Sequence, residues 1–505
     1  MRILAVDVGT STIKAAVFNV KSFDFEATTS KPLKISTPQP GRAELDPEHL
    51  WKTFVDTVSE AAASFEAIDA IVLDTQMAGV VPVDASGTPL TSILTWLDTR
   101  AAGHPKRLFD GAPKVSGYNL PTLTRLLRVS GGAPGKLGKD PLSKFAWFTA
   151  EQLDVYRGTW KFLDVKGFLL NRLTGRAVIT YDEASITWLA DTRDPLDVRW
   201  SEGLVELFKL DSSKLPEIVK PTDVIGELSD RARRELSLKE GAKVIAGCGD
   251  VAATAVGSGA VDDFEVHAYV GTGNWFAAHV PTRRLDVSHY MGCILSAIPG
   301  RYLLIAEQQM GGAALDYMFR ILKLEGPEAV KGVLEGYKIG ESRLLFLPWL
   351  YGERSPVEDP RLRGALLNLS LDVSDSDILA AVVEGIALNM RWEYEYFKQL
   401  LGKEISSIRI VGGGALYDIL CSALSNALEV EVVRVASAKE ATLMGATTVG
   451  LVALGLGDFT VSKKLAKPEA VFKPESHAVE AFRRKFELYL EAYQRLKGLF
   501  RKLNA

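Results

Sequence analysis

One strand-turn-strand pattern occurs twice in the sequence, and this repeat restricts the possible folds more than any other feature. "AVDVGTSTIKAAVF" begins at residue 5, and "AYVGTGNWFAAHV" begins at residue 268. Each segment has two apolar runs joined by a Gly-Thr turn, which is the pattern of a β-hairpin. The repeat predicts two similar halves whose Gly-Thr turns face one cleft. Aligned on the Gly-Thr pair, Asp7 of the first copy corresponds to Tyr269 of the second.

Length and composition agree with two globular halves. The chain has 505 residues, which is more than one hydrophobic core usually supports. We therefore expect an N-terminal domain over residues 1–256 and a C-terminal domain over residues 257–505. A formal net charge of −4 provides no basic surface for nucleic acid or an anionic membrane. A small-molecule partner is favoured, and neither nucleic acid nor membrane is expected as a partner.

The cysteines and the apolar segments indicate a cytoplasmic protein. Cys248, Cys293 and Cys421 are too few and too scattered for a disulfide framework or a zinc site, so we expect them in the core. Asp7 interrupts the apolar run that a secretory signal would need. Residues 441–457 lack charge, but this segment is shorter than a membrane span and rich in Thr and Gly. It predicts a buried helix of small residues.

Buried strands alternate with helical stretches along most of the chain. Residues 70–73, "KVIAGCGD" and "SIRIVGGGA" read as short buried strands that end in polar or glycine-rich turns. "EHLWKTFVDTVSEAAASF" and "ILAAVVEGIALNMRWEYEYFKQLL" have helical periodicity. This alternation predicts an α/β fold, in which ligands collect at the carboxyl ends of the strands.

The Gly-Thr turns have the chemistry of phosphate binding. Close backbone N–H groups and a hydroxyl suit polyphosphate oxygens. Asp7 adds a carboxylate of the kind that Mg²⁺ prefers, and Lys14 adds a positive charge for a phosphoryl group. The alternative is a pair of ordinary hairpins with Asp7 as a turn residue. A single motif would favour that alternative, but the second copy favours phosphate binding.

A third glycine-rich turn follows Ile410. Gly413, Gly414 and Ala415 allow the backbone to approach a flat ring or a ribose closely, and Asp418 lies in the first turn of the helix that follows. The alternative is a tight strand-to-helix turn without a ligand. The sequence contains no Walker A loop and no dinucleotide-binding spacing here.

Together these motifs resemble the FGGY family of carbohydrate kinases. "AVDVGTSTIKAAVFN", "TWLDTR", "GCGDVAATAVGSG", "YVGTGNWF", "EGIALNMR" and "VGGGALYDIL" occur in the family's order and spacing, from residue 3 to about residue 457. The resemblance implies two ribonuclease-H-like domains of the actin type, with an ATP and sugar cleft between them. It also implies that ATP and Mg²⁺ serve the phosphorylation of a sugar or polyol hydroxyl.

The resemblance also assigns roles to single residues. Asp7 is expected near the metal, and Asp250 matches the catalytic base, although an Asp in this position is also a favoured helix N-cap. The residues expected to contact ATP or its phosphates are Thr10, Ser11, Lys14, Gly271, Thr272, Gly312, Gly413, Gly414, Ala415 and Asp418. The residues expected on the substrate side, with Asp250, are Gln76, Met77, Ala78, Trp96 and Asp98.

Two departures from the family pattern concern the substrate. Ala78 stands where the family often has His, and Val251 stands where it often has Asn or Gln, so two polar contacts are missing. The segments after Gly273 look most like a xylulokinase subgroup, which predicts a ketopentose such as D-xylulose. Gluconate or another polyol is the alternative substrate, and glycerol is disfavoured. A further alternative is an actin-like ATP-binding module that phosphorylates nothing, and a homodimer is left open.

Overall fold

The computed structural model describes residues 1–238, 242–324, 326–334 and 337–504. The chain divides into two compact units. Unit 1 comprises Met1–Gly257, Ile294–Tyr302 and Thr442–Ser462. Unit 2 comprises Ser258–Cys293, Leu303–Ala441 and Lys463–Ala505.

Unit 1 is built on a six-stranded sheet with the strand order β5-β6-β4-β1-β2-β3. The strands are β1 (Arg2–Val8), β2 (Thr12–Asn19), β3 (Asp24–Pro32), β4 (Ala70–Thr75), β5 (Val224–Glu227) and β6 (Lys243–Gly249). Strands β1, β4 and β6 run parallel, whereas β2, β3 and β5 pair antiparallel with their neighbours. All six residues of β4 are buried, as expected for a central strand covered on both faces.

A seven-stranded sheet, most of which belongs to unit 2, has the strand order β9-β10-β8-β7-β11-β12-β13. Its strands are β7 (Val266–Val270), β8 (Asn274–Val280), β9 (Gly292–Leu295), β10 (Tyr302–Gln308), β11 (Ser407–Val411), β12 (Glu431–Val435) and β13 (Pro468–Phe472). The hairpin β7–β8 adjoins the parallel strand β11, just as the hairpin β1–β2 adjoins β4. The two predicted Gly-Thr hairpins therefore occupy corresponding positions in two similar sheets.

The remaining strands are short and form separate pairs. They are Glu44–Leu45, Val81–Val83, Ile93–Leu94, Lys114–Val115, Tyr118–Asn119, Lys161–Leu163, Val178–Thr180, Ala190–Asp191, Arg199–Trp200, Glu217–Val219, Leu345–Leu347 and Ala365–Leu367. The α-helices are Pro47–Ala62, Lys106–Phe109, Leu120–Val129, Pro141–Glu151, Leu153–Gly158, Val165–Thr174, Tyr181–Ile186, Glu202–Leu207, Asp230–Leu236, Asp250–Gly257, Gly312–Leu322, Gly326–Val333, Asp375–Leu401, Asp418–Leu428, Ala441–Ala453, Ser462–Leu465 and Ser476–Leu503. Short 3₁₀ helices are Ser212–Lys214, Gly413–Leu416, Ala438–Glu440 and Phe459–Val461.

The predicted long helices are present and have recognisable ends. Asp46 accepts the N–H of Glu48 at the start of Pro47–Ala62. Asp375–Leu401 begins with a capping box at Ser374 and ends at a residue in the left-handed region. These caps satisfy backbone groups that would otherwise have no partner at the helix termini.

The uncharged segment after residue 440 forms the helix Ala441–Ala453, as predicted. Its residues Leu443, Met444, Ala446 and Val449 are buried, which explains the absence of charge. Across the parts of the chain that the structure describes, no helix combines the length and apolar character needed to cross a membrane. The three cysteines are free and buried, as expected.

The main core of unit 1 lies between its sheet and the helices beside it. Leu4, Val6, Ile71 and Leu73 contribute from the strands, and Phe168 contributes from helix Val165–Thr174. All five side chains are completely buried. Because this core holds the central strands firmly, the residues that follow those strands are held in place as well.

Candidate functional site

Three acidic residues lie at the carboxyl ends of the three parallel strands of unit 1. Asp7 is in β1, Asp74 is in β4, and Asp250 directly follows β6. Asp7 is the register partner of Asp74, and Gly249 is the register partner of Thr75. Because neighbouring parallel strands end at the same edge, the sheet brings the three carboxyl groups together.

The first hairpin positions Asp7 opposite a lysine. Asp7 and Lys14 are register partners across β1 and β2, and Lys14 Nζ lies 3.8 Å from Asp7 Oδ2. The Thr442 hydroxyl donates a 2.8 Å hydrogen bond to the same oxygen. The alternative that made Asp7 a turn residue is therefore wrong, because the turn itself is closed by Gly9 N–H donating to the carbonyl oxygen of Thr12 at 3.0 Å.

Burial changes the protonation of the acidic pair. Burial raises the pKa of Asp7, while the positive charge of Lys14 and the Thr442 hydroxyl oppose the rise. Burial raises the pKa of Asp74 well above its ordinary value, and the nearby charges of Asp7 and Asp250 raise it further. Among the described residues, neither oxygen of Asp74 has a hydrogen-bond donor within reach. No sequence motif pointed to Asp74, although its place two residues before Gln76, near the end of a buried strand, could have signalled it.

Asp250 is the first residue of the helix Asp250–Gly257 and is half-buried. A bulge in β6 precedes it, because the register with β4 shifts between Ile245 and Cys248. Gly247 has φ +71° in this bulge, and a Cβ there would lie 1.7 Å from the carbonyl oxygen of Leu73. The bulge thus requires glycine at position 247. It changes the direction of the chain just before Asp250.

Local contacts fix the start of this helix. Asp250 Oδ1 accepts the N–H of Val251 at 2.9 Å, and the Thr254 hydroxyl donates to the Asp250 carbonyl oxygen at 2.7 Å. Helix Ala441–Ala453 packs closely against it, since a Cβ on Gly445 would lie 1.9 Å from the carbonyl oxygen of Ala253. The Asp250 carboxyl group therefore contributes to the start of the helix. It is also partly exposed at the strand edge.

The loop after β4 lies against the first Gly-Thr turn. Gln76 donates its backbone N–H to the carbonyl oxygen of Val8 at 2.8 Å and its side-chain amide to that of Gly9 at 3.3 Å. Met77 lies close to Gly249, where a Cβ would meet its side chain at 2.4 Å. Ala78 has φ +60°. The structure therefore brings Gln76 next to the first Gly-Thr turn and Met77 next to the residue before Asp250.

A buried lysine that the sequence analysis missed holds this loop. Lys144 is completely buried, and its Nζ donates to the carbonyl oxygens of Ala78 at 2.7 Å and Thr95 at 2.8 Å. Burial lowers the pKa of Lys144 to about 7, and the charges of Asp140 and Asp98 oppose that effect. Its sequence context, "PLSKFAWF", reads as an ordinary helix, so nothing in the pattern signals a buried cation.

Trp96 and Asp98 have different surroundings. Trp96 Nε1 donates to the Thr10 hydroxyl at 3.0 Å, so this ring belongs to the first Gly-Thr turn. Asp98 is 1% exposed, and both of its oxygens accept from the Arg100 guanidinium. Asp98 Oδ2 also accepts the N–H of Ala43 at 2.8 Å. The structure thus commits the Asp98 carboxylate to protein partners.

In unit 2, the second Gly-Thr turn lies beside the start of a helix. Thr272 is exposed, and its carbonyl oxygen accepts the N–H of Gly311 at 3.0 Å. Helix Gly312–Leu322 begins at the next residue. A Cβ on Gly312 would lie 2.5 Å from the carbonyl oxygen of Gly271, so the turn and the helix approach through their backbones. This arrangement presents N–H groups of the kind that bind phosphate oxygens.

The positions of the third glycine turn differ in how much space surrounds them. A Cβ on Gly413 would meet nothing within 4 Å, whereas a Cβ on Gly414 would lie 2.3 Å from Val270 Cγ1. Ala415 is buried. Asp418 is in the first turn of its helix, and its exposed carboxylate pairs with Arg434. Only Gly413 therefore leaves open space of the kind that a flat ligand needs.

Two adjacent acids on the short helix Tyr181–Ile186 were also missed. Asp182 Oδ2 accepts the N–H of Gly249 at 2.5 Å. Glu183 is 1% exposed, and its Oε2 lies 3.5 Å from the N–H nitrogen of Ala78. Asp182 thus bonds the residue before Asp250, and Glu183 approaches Ala78, which is itself a predicted substrate residue. The only sequence signal was a pair of acids inside an otherwise uncharged stretch.

The two domains of a known family match most of the chain. The FGGY family of carbohydrate kinases, N-terminal domain, matches residues 2–257. The C-terminal domain of the same family matches residues 268–454.

Individual relatives are similar over nearly their full length. A xylulose kinase of Staphylococcus epidermidis is 26% identical over 98% of this chain and 97% of its own. A gluconokinase of Bacillus subtilis is 23% identical over 90% of this chain and 87% of its own. The crystal structure of a ligand-bound xylulose kinase from Lactobacillus acidophilus superposes with a TM-score of 0.88 at 24% identity, covering 99% of both chains. The fold is therefore that of the sugar kinases.

Proposed function

The chain belongs to the FGGY family of carbohydrate kinases, and we propose that it transfers the γ-phosphoryl group of ATP to a hydroxyl group of a ketopentose such as D-xylulose. As a member of this family it is a phosphotransferase with an actin-type ATPase fold. The observation that carries the proposal is the meeting of Asp7, Asp74 and Asp250 at one sheet edge, beside the first Gly-Thr turn and the loop that begins at Gln76.

We assign the base to Asp250. Phosphoryl transfer asks the protein mainly to position reactants and to offset charge, while one carboxylate accepts the proton of the attacking hydroxyl. Asp250 is half-buried at a strand end, whereas Asp7 and Asp74 are buried. Of the three acids, Asp250 is therefore the one best suited to meet an acceptor.

The residues of the two units suit ATP and Mg²⁺. Asp7 has the carboxylate chemistry for Mg²⁺, and the donor-free oxygens of buried Asp74 beside it fit a neighbouring cation. Bound Mg²⁺ supplies charge neutralisation at the phosphates. Lys14, Thr10 and Ser11 act on the phosphate side in unit 1, with Gly271 and Thr272 in unit 2.

The nucleotide side of the proposal rests on the open space at Gly413. Because a Cβ at this position would meet nothing within 4 Å, we place the adenine or ribose against it. We place Asp418 at the edge of the proposed nucleotide site, because its carboxylate already pairs with Arg434.

The proposed substrate follows from the activities named for the most similar relatives. Several xylulose kinases match at about 25% identity, but a gluconokinase matches at 23%, so gluconate is the second candidate. An apolar Ala78 in the substrate loop discriminates weakly between hydroxylated compounds. The buried free cysteines agree with a reducing compartment, and we propose a cytoplasmic location.

An acceptor panel tests the proposal. The purified chain is given MgATP with D-xylulose, other ketopentoses, gluconate and glycerol, and ADP release is measured. We expect the fastest turnover with a ketopentose. Asp250→Asn should lower kcat by roughly 10²- to 10⁴-fold, which is the usual effect of a positioned base. Nucleotide affinity, measured by calorimetry, should stay unchanged. ADP release that no acceptor stimulates would instead favour a non-catalytic ATP-binding module.

A further inference from the structure

The short helix Tyr181–Ile186 lies against both parts of the chain that carry the proposed acceptor contacts. Asp182 accepts the N–H of Gly249, the residue before the proposed base. Glu183 approaches the N–H of Ala78, in the loop where the family often has a histidine. Glu183 thus approaches Ala78, one of the two positions that lack an expected polar contact, and Asp182 bonds the residue two positions before the other, Val251.

Glu183 has an oxygen without a partner. It is 1% exposed, and in the part of the chain that the structure describes, its Oε1 has no hydrogen-bond partner. Its Oε2 lies 3.5 Å from Ala78 N, which is longer than the roughly 2.7–3.2 Å of an ordinary N–H···O hydrogen bond. A buried polar atom left unpaired is costly, and native proteins rarely retain one without a reason.

The neighbouring charges do not supply the missing partner. Lys166 is also completely buried, but its Nζ donates to the Thr180 hydroxyl at 2.6 Å. Within the described chain, Lys166 forms no ion pair with Glu183. Asp164 accepts the N–H of Gly167 and caps the helix that begins at Val165. Asp164 Oδ2 and Asp182 Oδ1 also lack partners among the described residues, but of these three acids Glu183 is the one whose carboxyl group approaches an N–H of the loop that begins at Gln76.

We propose that Glu183 is a specificity-determining residue that forms a hydrogen bond with a hydroxyl group of the acceptor. It would replace the polar contacts that are absent at Ala78 and Val251. This inference rests on the proposed function, because it requires a hydroxylated acceptor beside the loop that begins at Gln76.

The chemistry of a buried carboxyl group suits this role. Burial raises the pKa of Glu183 well above its ordinary value, and the charge of Asp164 adds to the effect of burial. The positive charge of Lys166 opposes the rise, while Asp182 and Asp250 increase it. A protonated carboxyl group both donates and accepts hydrogen bonds, as a hydroxyl group does. A site that bonds a hydroxyl group in this way rejects an analogue lacking it more strongly than an apolar pocket can.

The test compares two substitutions of Glu183 with one matched control. Glu183→Leu removes the hydrogen bond, Glu183→Gln retains a neutral group that can form one, and Asp164→Asn changes a buried acid of the same cluster that does not contact the loop. Kinetics are measured with the acceptor that the wild-type chain phosphorylates fastest.

We expect Glu183→Leu to raise the acceptor KM roughly 10- to 100-fold, as the loss of a buried hydrogen bond does. The KM for ATP should stay unchanged. Glu183→Gln should recover most of the acceptor affinity. Asp164→Asn should leave the acceptor KM unchanged even if it lowers the melting temperature.

Deoxy acceptors identify the hydroxyl group. If Glu183 binds one hydroxyl group, the analogue that lacks this group will bind the wild-type chain more weakly than the parent acceptor does. Glu183→Leu will bind this analogue and the parent acceptor equally well. This difference is the coupling that a double-mutant cycle measures. Equal changes in the acceptor and ATP constants, or a loss of melting temperature alone, would overturn the inference.

The outcomes separate this inference from the proposed function. If ketopentoses are inert but gluconate is phosphorylated, the proposed substrate is wrong, and the same comparison is made with gluconate. If nothing is phosphorylated, the proposed function fails, and calorimetric titration of the panel into wild-type and Glu183→Gln chains decides the role of Glu183. Absence of any acceptor binding in that titration would overturn it too.

Discussion

Asp7 and Asp74 are register partners on neighbouring parallel strands, and both carboxyl groups are buried. Two carboxylates this close cannot both be charged without a large cost unless a cation lies beside them. Lys14 offsets the charge of Asp7, while Asp74 has no donor of its own among the described residues. We therefore expect Asp74 to be the protonated member of the pair in the metal-free protein.

This protonation has a consequence for stability. For a raised carboxyl pKa, the stabilising contribution is present below the unfolded value of about 4 and is lost as the pH rises toward the folded value. Asp74→Asn keeps a neutral side chain that can donate to Asp7 at every pH. In EDTA, the variant should become more stable relative to the wild-type chain as the pH rises from about 4 to 8. Melting curves across this range provide the measurement.

Two results would contradict the assignment of the proton. A constant stability difference across the pH range would mean that Asp74 keeps the same protonation in the folded and unfolded chain. If the wild-type chain instead gains stability relative to the variant as the pH rises, the pKa of Asp74 is lowered in the folded chain.

The third glycine turn provides a pair of matched substitutions. Gly413→Ala places a methyl group in open space, so the melting temperature should stay unchanged, but the methyl group would occupy the proposed nucleotide site. A methyl group in a ligand's position costs roughly 10- to 200-fold in discrimination. We expect a KM for ATP that is raised by roughly 10-fold or more.

Gly414→Ala is the structural control. Its methyl group would lie 2.3 Å from Val270 Cγ1, so overpacking should destabilise unit 2 by about 1–3 kcal/mol. If Gly413→Ala binds ATP normally while Gly414→Ala behaves as expected, the nucleotide does not lie against Gly413.

Asp98 provides a test between substrate contact and structural support. Its carboxylate holds Arg100 and the N–H of Ala43, and Arg100 also bonds Glu44. Removing the carboxylate leaves the N–H of Ala43 without this acceptor and leaves Glu44 as the remaining acid partner of Arg100, and breaking a buried pair typically costs about 3–5 kcal/mol. Asp98→Ala should therefore lower the melting temperature by several degrees with little change in the acceptor KM of the protein that remains folded.

Trp96→Phe is the companion variant. It removes the indole N–H that donates to Thr10, next to the first Gly-Thr turn, without removing a charge. A strong rise in the acceptor KM for Asp98→Ala at an unchanged melting temperature would restore the substrate role that the sequence predicted for Asp98.

Local sequence patterns predicted the parts of the fold that depend on local chemistry. The hairpins around Gly9 and Gly271 and the buried helix Ala441–Ala453 follow from apolar runs, turn residues and missing charge. Asp250 could be located because acids and glycines at strand ends form a short and recognisable motif. These features are determined by residues close in sequence.

The missed residues depend on contacts between distant parts of the chain. Lys144 lies 66 positions from Ala78, and Glu183 lies 105 positions from it. A lysine in an amphipathic helix is usually exposed, and an acid beside another acid usually faces water, so local patterns point away from both. The same limit explains Asp98, whose role depends on a bond to a backbone N–H 55 positions away.

The buried Lys144 leads to the last prediction. Because its folded pKa of about 7 lies below the ordinary value of 10.5, the folded chain favours the neutral amine. The unfolded chain keeps the Lys144 proton up to about pH 10. The stability that depends on this group is therefore fully present above the unfolded pKa and is lost as the pH falls toward 7.

Lys144→Met removes the titration along with the bonds to Ala78 and Thr95. The stability of the wild-type chain relative to this variant should therefore rise between pH 7 and 10, with a slope approaching about 1.4 kcal/mol per pH unit. Urea unfolding of both chains at several pH values provides the measurement, and Lys52→Met, which removes an exposed lysine of the helix Pro47–Ala62, is the control. A relative stability that is flat or falls over this range would mean that Lys144 remains charged in the folded protein. In that case the two carbonyl oxygens compensate fully for its burial.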